Sequence, residues 1–280
     1  MHIKLLNSDG VTYGVGEPIV TYLSARIPNG DAFAKATTVK VNGQVVDGAW
    51  HFENSDQDIA AAGYPIEGHF RANPAPAATT PFWPAHANIE MDLRTQGVAT
   101  APGSGQYFDD SLTLRFSTGA AQISYVDCGA LTMISTSDGV QAHPTMPISC
   151  GKTDTPTYEG TKVVMQKGED VPGTNTPRPN GTVLMTGTGY TNVPILWSVR
   201  VTQSGEYVHD LQSNAAIGSA STSHGCTNLH ADDAKWFYGW AQLGDVLIYS
   251  NSGGGTMPSW DGLGDWNLPQ SEFNNETPDS

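Results

Sequence analysis

The sequence predicts a mainly β protein of two domains with one main helix. The chain has 280 residues, which is long for one hydrophobic core and short for three. Its 31 glycines, 18 prolines and 38% hydrophobic residues suit short strands and frequent turns better than a helical bundle. Strand-like runs recur throughout the chain, whereas one segment has clear helical spacing.

Residues 1–105 are interpreted as a first domain, a small β sandwich. Strand-like runs occur at residues 19–23, 66–71 and 89–93. The dipeptide Asn42-Gly43 predicts a tight hairpin between two further strands. No nucleophile and base with catalytic spacing occur in this half.

Residues 106–250 are interpreted as a second β domain, which follows the glycine-rich stretch 101–105. Predicted strands lie at residues 112–116, on both sides of the turn Ser137-Asp138-Gly139, and at 162–166, 195–202 and 246–249. The predicted helix is 231–241, because Ala234, Phe237, Tyr238 and Ala241 repeat at helical spacing and Gly244 follows its end.

Residues 251–280 have the glycine- and proline-rich composition of a disordered tail. Trp260, Leu263, Trp266 and Leu268 are nevertheless too apolar for a solvated segment. We therefore expect this C-terminal extension to pack on the domains.

Charge and hydropathy exclude two classes of partner. The net charge of -15 argues against nucleic acid, because phosphate binding depends on clustered Lys and Arg. No apolar run approaches the roughly 18 residues that a membrane helix needs, and the first residues lack the pattern of a signal peptide.

The residues with most chemical potential are Ser223-His224-Gly225-Cys226-Thr227-Asn228 and His209, seventeen positions before the cysteine. A thiol attacks as its thiolate, and an imidazole can accept its proton. Gly225 would let the backbone turn sharply, so that N–H groups could face an oxyanion formed during acyl transfer.

Two other interpretations of Cys226 are open on chemistry alone. A single cysteine is commonly a small buried hydrophobic residue. Alternatively, His209, His224, Cys226 and His230 include the ligand types of a zinc site. Because the paired short spacing of structural zinc sites is absent, we predict no metal and no cofactor.

Several blocks of the chain resemble the YkuD-type L,D-transpeptidases. The arrangement of His209 and SHGCTN, followed by HADDAKWFYGWAQLGDV, is similar to the family's catalytic signature. Upstream, MPISCGKTDTPTYEGTKVVMQK and WSVRVTQSGEYVHD resemble its earlier strands, and DGLGDWNLP resembles a tail of actinobacterial members. In the first half, YGVGEPIVTYL, VDGAWHF and FWPAHANIEMDL resemble the immunoglobulin-like domain of the mycobacterial enzymes.

The resemblance implies an immunoglobulin-like sandwich followed by a YkuD-type catalytic domain, and it implies roles for single residues. Cys226 would be the nucleophile and His209 the general base. Ser223, His224, Gly225 and Asn228 would shape the pocket and the oxyanion hole. Tyr190 would lie on a flap over the substrate. Asp210 stands where mycobacterial relatives have a serine, and would orient His209 through its backbone carbonyl or, if its carboxylate lies near the ring, raise the histidine pKa.

The implied activity is cross-linking of peptidoglycan tetrapeptide stems from third residue to third residue, through a cysteine thioester and with release of D-Ala. Carbapenem β-lactams would acylate the cysteine. Alternatives are an L,D-carboxypeptidase, a protein-to-wall anchoring enzyme, and a non-catalytic wall-binding protein. Since such a substrate lies outside the cytoplasm, we expect an extracytoplasmic protein whose export or anchor segment precedes Met1.

Cys128 and Cys150 form a separate question. If Ser137-Asp138-Gly139 closes a hairpin, these two cysteines face each other or lie side by side. A disulfide is then geometrically possible in an oxidising compartment, and two separate buried thiols are the alternative. Cys226 would stay free in either case.

Overall fold

The protein divides into two compact units in a computed structural model that describes residues 1–74, 80–187, 189–211 and 215–278. Unit 1 comprises Met1–Tyr13, Glu17–Gly119 and Leu268–Ser280. Unit 2 comprises Gly14–Gly16 and Ala120–Asn267. Strands dominate both units, so the prediction of a mainly β fold is confirmed.

In its described residues, unit 1 contains nine strands and two short α-helices. The strands are β1 (Ile3–Leu5), β2 (Thr12–Tyr13), β3 (Ile19–Leu23), β4 (Thr37–Val41), β5 (Gln44–Val46), β6 (Gly48–Asn54), β7 (Ile66–Ala72), β8 (Asn88–Leu93) and β9 (Leu112–Thr118). The helices are α1 (Asp31–Lys35) and α2 (Gln57–Ala61). As the Asn-Gly dipeptide predicts, β4 and β5 form a hairpin around Asn42 and Gly43, both with positive φ.

The strands of unit 1 form two sheets, in the orders β1-β3-β7-β6 and β2-β9-β8-β4-β5. Aromatic side chains fill the core of this unit: Phe33 lies 5.0 Å from the Trp50 ring and 5.6 Å from Phe108, and all three are fully buried. Burying each such side chain stabilises the fold by about 1.5–3 kcal/mol. The immunoglobulin-like sandwich implied by the resemblance is confirmed.

The boundary between the units follows Gly119, not residue 105 as the composition suggested. The strand at 112–116 is β9 of unit 1, because it pairs antiparallel with β8 from Leu93↔Leu112 to Asn88↔Ser117. The glycine-rich stretch 101–105 is a loop within unit 1. Its composition marks a turn, which a domain interior can contain as readily as a linker.

The C-terminal segment divides between the units. Residues up to Asn267 belong to unit 2, where the Trp266 indole donates to the Gly16 carbonyl at 2.8 Å. Residues from Leu268 belong to unit 1, where Asn275 accepts from the Trp50 backbone at 3.0 Å and Phe273 is buried. The described part of the tail therefore packs as its apolar residues predict, although Trp260 is exposed.

The described part of unit 2 contains thirteen further strands and one longer α-helix. The strands are β10 (Gln122–Asp127), β11 (Thr132–Ser137), β12 (Val140–Gln141), β13 (Met146–Ser149), β14 (Gly160–Val163), β15 (Gln166–Lys167), β16 (Asp170–Val171), β17 (Thr176–Pro177), β18 (Val183–Gly187), β19 (Tyr190–Arg200), β20 (Tyr207–Asp210), β21 (Thr227–Leu229) and β22 (Val246–Ser250). The helix α3 is Ala231–Trp240, close to its predicted bounds. No helix in the described part of the chain is long and apolar enough to cross a membrane.

Nine strands of unit 2 run in the order β14-β22-β10-β11-β13-β21-β20-β19-β15. The turn at Asp138-Gly139 joins β11 to β12, and Cys128 and Cys150 form a disulfide with a Cα–Cα distance of 5.7 Å. In the same sheet, β20 pairs in parallel with β21. This pairing sets His209 directly opposite Asn228, and it brings together two segments that are distant in sequence.

Candidate active site

An open cleft of about 950 Å³ lies in unit 2, next to the β20–β21 pair. Its walls come from residues 155–158, the β18–β19 hairpin, residues 204–206, the loop before β21, and Gly254-Gly255. Cys226, His209 and Asn228 all line it. A thiol, an imidazole and a carboxamide therefore share one solvent-accessible cavity.

Cys226 follows a loop that side-chain hydrogen bonds hold on both sides. Ser223 Oγ donates to the Cys226 carbonyl at 2.5 Å and accepts from the Gly225 N–H at 3.2 Å. Thr157 Oγ1 donates to the Gly225 carbonyl at 2.7 Å. Gly225 itself has φ +123°, a conformation that L side chains rarely adopt, so the sharp turn predicted before the cysteine depends on glycine.

Backbone bonds anchor the same loop to the disulfide. The Cys150 carbonyl accepts from the N–H groups of Thr222 and Ser223, at 2.9 and 3.0 Å. The Ser223 carbonyl accepts in turn from the Lys152 N–H at 3.0 Å. The segment that carries the nucleophile candidate is therefore attached directly to the strand end that the Cys128–Cys150 bridge holds.

His209 is buried in β20, and its ring is held by Asn228 from the neighbouring strand. The Asn228 side-chain nitrogen lies 3.1 Å from His209 Nε2. Because the carboxamide nitrogen only donates, Nε2 acts as an acceptor and the neutral ring carries its proton on Nδ1. The Nε2 lone pair therefore accepts the Asn228 hydrogen bond, which has to open before Nε2 can take another proton.

The pKa values of Cys226 and His209 show that both side chains are neutral at pH 7. Burial raises the pKa of Cys226 to about 11, and the charge of Glu206 adds to this rise. The backbone N–H of Tyr207 and the charge of Lys162 oppose it. Burial lowers the pKa of His209 to about 4, with the Asp210 backbone opposing it. The Cys226 thiol lies 3.7 Å from the Gly205 carbonyl, to which it donates. At neutral pH the site therefore holds a thiol and a neutral imidazole.

Comparison with known proteins relates the part of the chain that carries this cleft to a family. The family model for the L,D-transpeptidase catalytic domain, YkuD, matches residues 123–248. Residues 123–248 belong to the YkuD L,D-transpeptidase catalytic domains. The chain is 28% identical over 270 residues to L,D-transpeptidase 2 of Mycobacterium tuberculosis (strain CDC 1551 / Oshkosh), covering 96% of this chain and 60% of that protein.

Solved structures resemble the chain over most of its length. One is an L,D-transpeptidase from Mycobacterium tuberculosis H37Rv, with a TM-score of 0.64, 26% identity, and coverage of 89% of this chain and 97% of that one. Another is the L,D-transpeptidase LdtMt1 in complex with imipenem, with a TM-score of 0.63, 25% identity, and coverage of 88% and 97%. The chain spans about 60% of the length of L,D-transpeptidase 2.

In this YkuD domain, two of the residues expected around the cleft contact each other at its wall. The ring of Tyr190, the first residue of β19, lies 5.5 Å from the His224 ring, and both line the cleft. Tyr190 begins the second strand of the β18–β19 hairpin. A hairpin bordering the cleft is a suitable position for the predicted substrate flap.

Two other residues have roles that differ in detail from the expected ones. Asn228, expected at the oxyanion hole, binds the His209 ring and is fully buried. The Asp210 backbone opposes the lowering of the His209 pKa, whereas the charge that opposes the raised Asp210 pKa is that of His230. The base-orienting role of Asp210 stays a prediction.

The positions of the four histidine and cysteine residues considered as zinc ligands do not support a zinc site. Within the described ranges, His209, His224, Cys226 and His230 do not form a group of three or more neighbouring ligand atoms. His230 is exposed at the start of α3. Cys226 is a free cysteine, whereas Cys128 and Cys150 form the disulfide.

Sequence reasoning missed a buried ion pair next to the loop that precedes Cys226. Lys162 in β14 is fully buried and binds Glu206 Oε2. The other Glu206 oxygen accepts from the Tyr158 N–H at 2.9 Å, and a Cβ added at Gly225 would lie 3.2 Å from it. Burial lowers the Lys162 pKa and raises that of Glu206, and each residue opposes the shift of the other. Nothing in a strand-like run such as 162–166 reveals that its lysine faces inward.

Proposed function

We propose that this protein is a peptidoglycan L,D-transpeptidase, with Cys226 as the nucleophile and His209 as the general base. The observation that carries the proposal is the shared cleft, which both the free thiol of Cys226 and the His209 imidazole line. The similarity to L,D-transpeptidase 2 and to the imipenem complex of LdtMt1 supports the same reaction class.

In the first half-reaction, the Cys226 sulfur attacks the carbonyl between the third residue of a tetrapeptide stem and its terminal D-Ala. Because the thiol and the imidazole are both neutral at rest, the proton moves to His209 as the S–C bond forms. The tetrahedral intermediate then collapses. His209 gives the proton to the departing D-Ala amine, and a thioester with Cys226 remains.

In the second half-reaction, the side-chain amine of the third residue of another stem attacks the thioester carbonyl. His209 accepts a proton from the amine and returns it to the Cys226 sulfur as that leaves. The thioester conserves the energy of the broken peptide bond, so no ATP is needed. Water in place of the amine would give a trimmed monomer, which is the carboxypeptidase alternative.

Four residues position the reacting groups or the substrate in this scheme. Asn228 fixes the His209 ring through a hydrogen bond to Nε2, and this bond opens when Nε2 takes the proton of the thiol. Gly225 allows the strained turn that presents Cys226. Tyr190 and His224, in contact at the wall, are placed to touch the stem peptide.

The proposed substrate places the reaction outside the cytoplasm. The Cys128–Cys150 disulfide supports that location, because disulfides persist in oxidising compartments and are rare in the cytosol. Fractionation of the native host, with detection of the chain in the wall or membrane fraction, tests this part separately. Recovery in the cytosol alone would contradict it.

The reaction is tested first by intact-mass spectrometry after exposure to a carbapenem. The wild type should gain the mass of one drug molecule, and Cys226→Ala should gain none. His209→Gln should acylate far more slowly, while His143→Gln, outside the residues that line the cleft, should match the wild type. An adduct on Cys226→Ala would remove this cysteine from the mechanism.

The acceptor is tested by mass spectrometry of muropeptides incubated with the protein. Cross-linked dimers together with free D-Ala would support transfer to an amine. Trimmed monomers without dimers would support the carboxypeptidase, and no change in either would support a non-catalytic wall-binding protein. Each of the last two results would overturn the proposed transferase.

A further inference from the structure

Four potential metal ligands form a square on one face of unit 1. In the antiparallel pair of β6 and β7, His51 stands directly opposite His69, and Glu53 stands directly opposite Glu67. Residues two apart in a strand share a face, so all four side chains project from the same side of the sheet. The opposite side carries Trp50, Phe52 and Phe70, which are buried in the sandwich core.

Ligand atoms of Glu53, Glu67 and His69 lie within 4.8 Å of one another, and His51 lies beside Glu53. His69 Nε2 lies 3.6 Å from Glu67 Oε1 and 3.8 Å from Glu53 Oε1, and His51 Nε2 lies 3.7 Å from Glu53 Oε2. Zinc bound at about 2.0–2.1 Å separates neighbouring tetrahedral ligands by roughly 3.3–3.5 Å. Small side-chain rotations would therefore bring these atoms to coordination distance.

The site is shielded from water. The side chain of His69 is 3% exposed, and those of Glu53 and Glu67 are 14% and 13% exposed. Two carboxylates directly opposite each other repel, and more strongly when they are partly desolvated. The cluster thus favours added positive charge.

A backbone contact also fixes the orientation of one imidazole. His51 Nδ1 lies 3.2 Å from the Glu272 carbonyl in the C-terminal segment of the same unit. A neutral ring must donate there through Nδ1–H, which leaves the Nε2 lone pair directed toward Glu53. Metal-binding histidines in proteins are commonly oriented by such a bond from their other nitrogen.

We propose that His51, Glu53, Glu67 and His69 bind one divalent transition-metal ion, of which zinc is the best match. Two imidazole nitrogens and two carboxylate oxygens are a suitable donor set, and two carboxylates neutralise the charge of a divalent ion. The ion would tie β6 to β7 and, through the His51–Glu272 contact, to the C-terminal segment. It lies outside the catalytic unit and would stabilise unit 1 without entering the reaction.

Two cations on this face have contacts of their own. Arg71, the next outward residue of β7, donates to the Leu268 carbonyl at 2.8 Å and lies over the Phe273 ring. Lys4 lies over the rings of Tyr22 and Tyr64.

Isothermal titration calorimetry with zinc chloride tests the proposal. The titration uses the full chain carrying Cys226→Ser, so that the active-site thiol cannot bind the ion. One equivalent should bind per chain, with magnesium chloride giving no comparable heat. His69→Gln in the same background should weaken binding at least a hundredfold, while the control His143→Gln should leave it unchanged.

A second variant guards against misfolding. Glu67→Gln keeps the shape of the side chain and should also weaken zinc binding by tenfold or more. Thermal melts should show that zinc raises the midpoint of the parent but not that of either variant, with circular dichroism checking that both variants fold. Absence of zinc binding in the parent, or equal binding in folded His69→Gln and Glu67→Gln, would overturn the proposal.

Discussion

Raising the pH should increase the rate at which a simple alkylating agent reacts with Cys226, because burial raises the pKa of the thiol and keeps it protonated at pH 7. A thiol with a pKa of about 11 instead of 9.0 carries about a hundredfold less thiolate at pH 7. The more basic thiolate is intrinsically a better nucleophile, which recovers roughly eightfold of that loss. The net expectation is alkylation about tenfold slower than that of the same cysteine in the unfolded chain.

The assay measures iodoacetamide alkylation by intact-mass spectrometry between pH 6 and pH 10. Since Cys128 and Cys150 are paired, the folded chain gains one label at Cys226. The rate should rise about tenfold per pH unit through this range without a plateau. The chain unfolded in urea, with its disulfide intact, provides the unperturbed rate.

His209→Gln is the decisive control. With a pKa of about 4, His209 is neutral at pH 7 and forms no ion pair with the sulfur, so its loss should leave the alkylation profile unchanged. Carbapenem acylation should nevertheless slow, because that reaction needs the base. A plateau below pH 9 in the wild type that disappears in His209→Gln would show a resting thiolate–imidazolium pair, and would refute the reasoning.

Further predictions concern the supports of the site. Lys162→Met should lower the free energy of unfolding by roughly 3–5 kcal/mol in urea titrations, because it leaves the buried Glu206 carboxylate unpaired. The double variant Lys162→Met with Glu206→Gln should recover most of this loss. No recovery would contradict the electrostatic cause. Gly225→Ala should lower stability by about 1–3 kcal/mol and suppress acylation, and a wild-type acylation rate would show that the turn tolerates a side chain. Replacing Cys128 and Cys150 by serine should cost about 3 kcal/mol for a loop of this length, measured by the same titrations; an unchanged midpoint would argue against the bridge in solution.

Some elements were predictable because their signals are local. The hairpin at Asn42 and Gly43 follows from two residues that accept positive φ, and α3 follows from apolar spacing within eleven positions. The predicted domain boundary near residue 105 differs from the one after Gly119 because the deciding signal is not local. Whether a strand such as β9 completes the preceding sheet or begins a new one depends on its pairing partner, which composition does not reveal.

The sequence by itself determined the mainly β class, the family resemblance, and the residues around Cys226 and His209, because these lie in short motifs with recognisable chemistry. Only the tertiary structure decided that Asn228 holds the His209 ring, that Lys162 and Glu206 pair in the interior, and that burial keeps the thiol neutral. Each depends on side chains from separate strands meeting at low dielectric. The strength of those interactions is set by distance and desolvation, which a linear pattern does not contain.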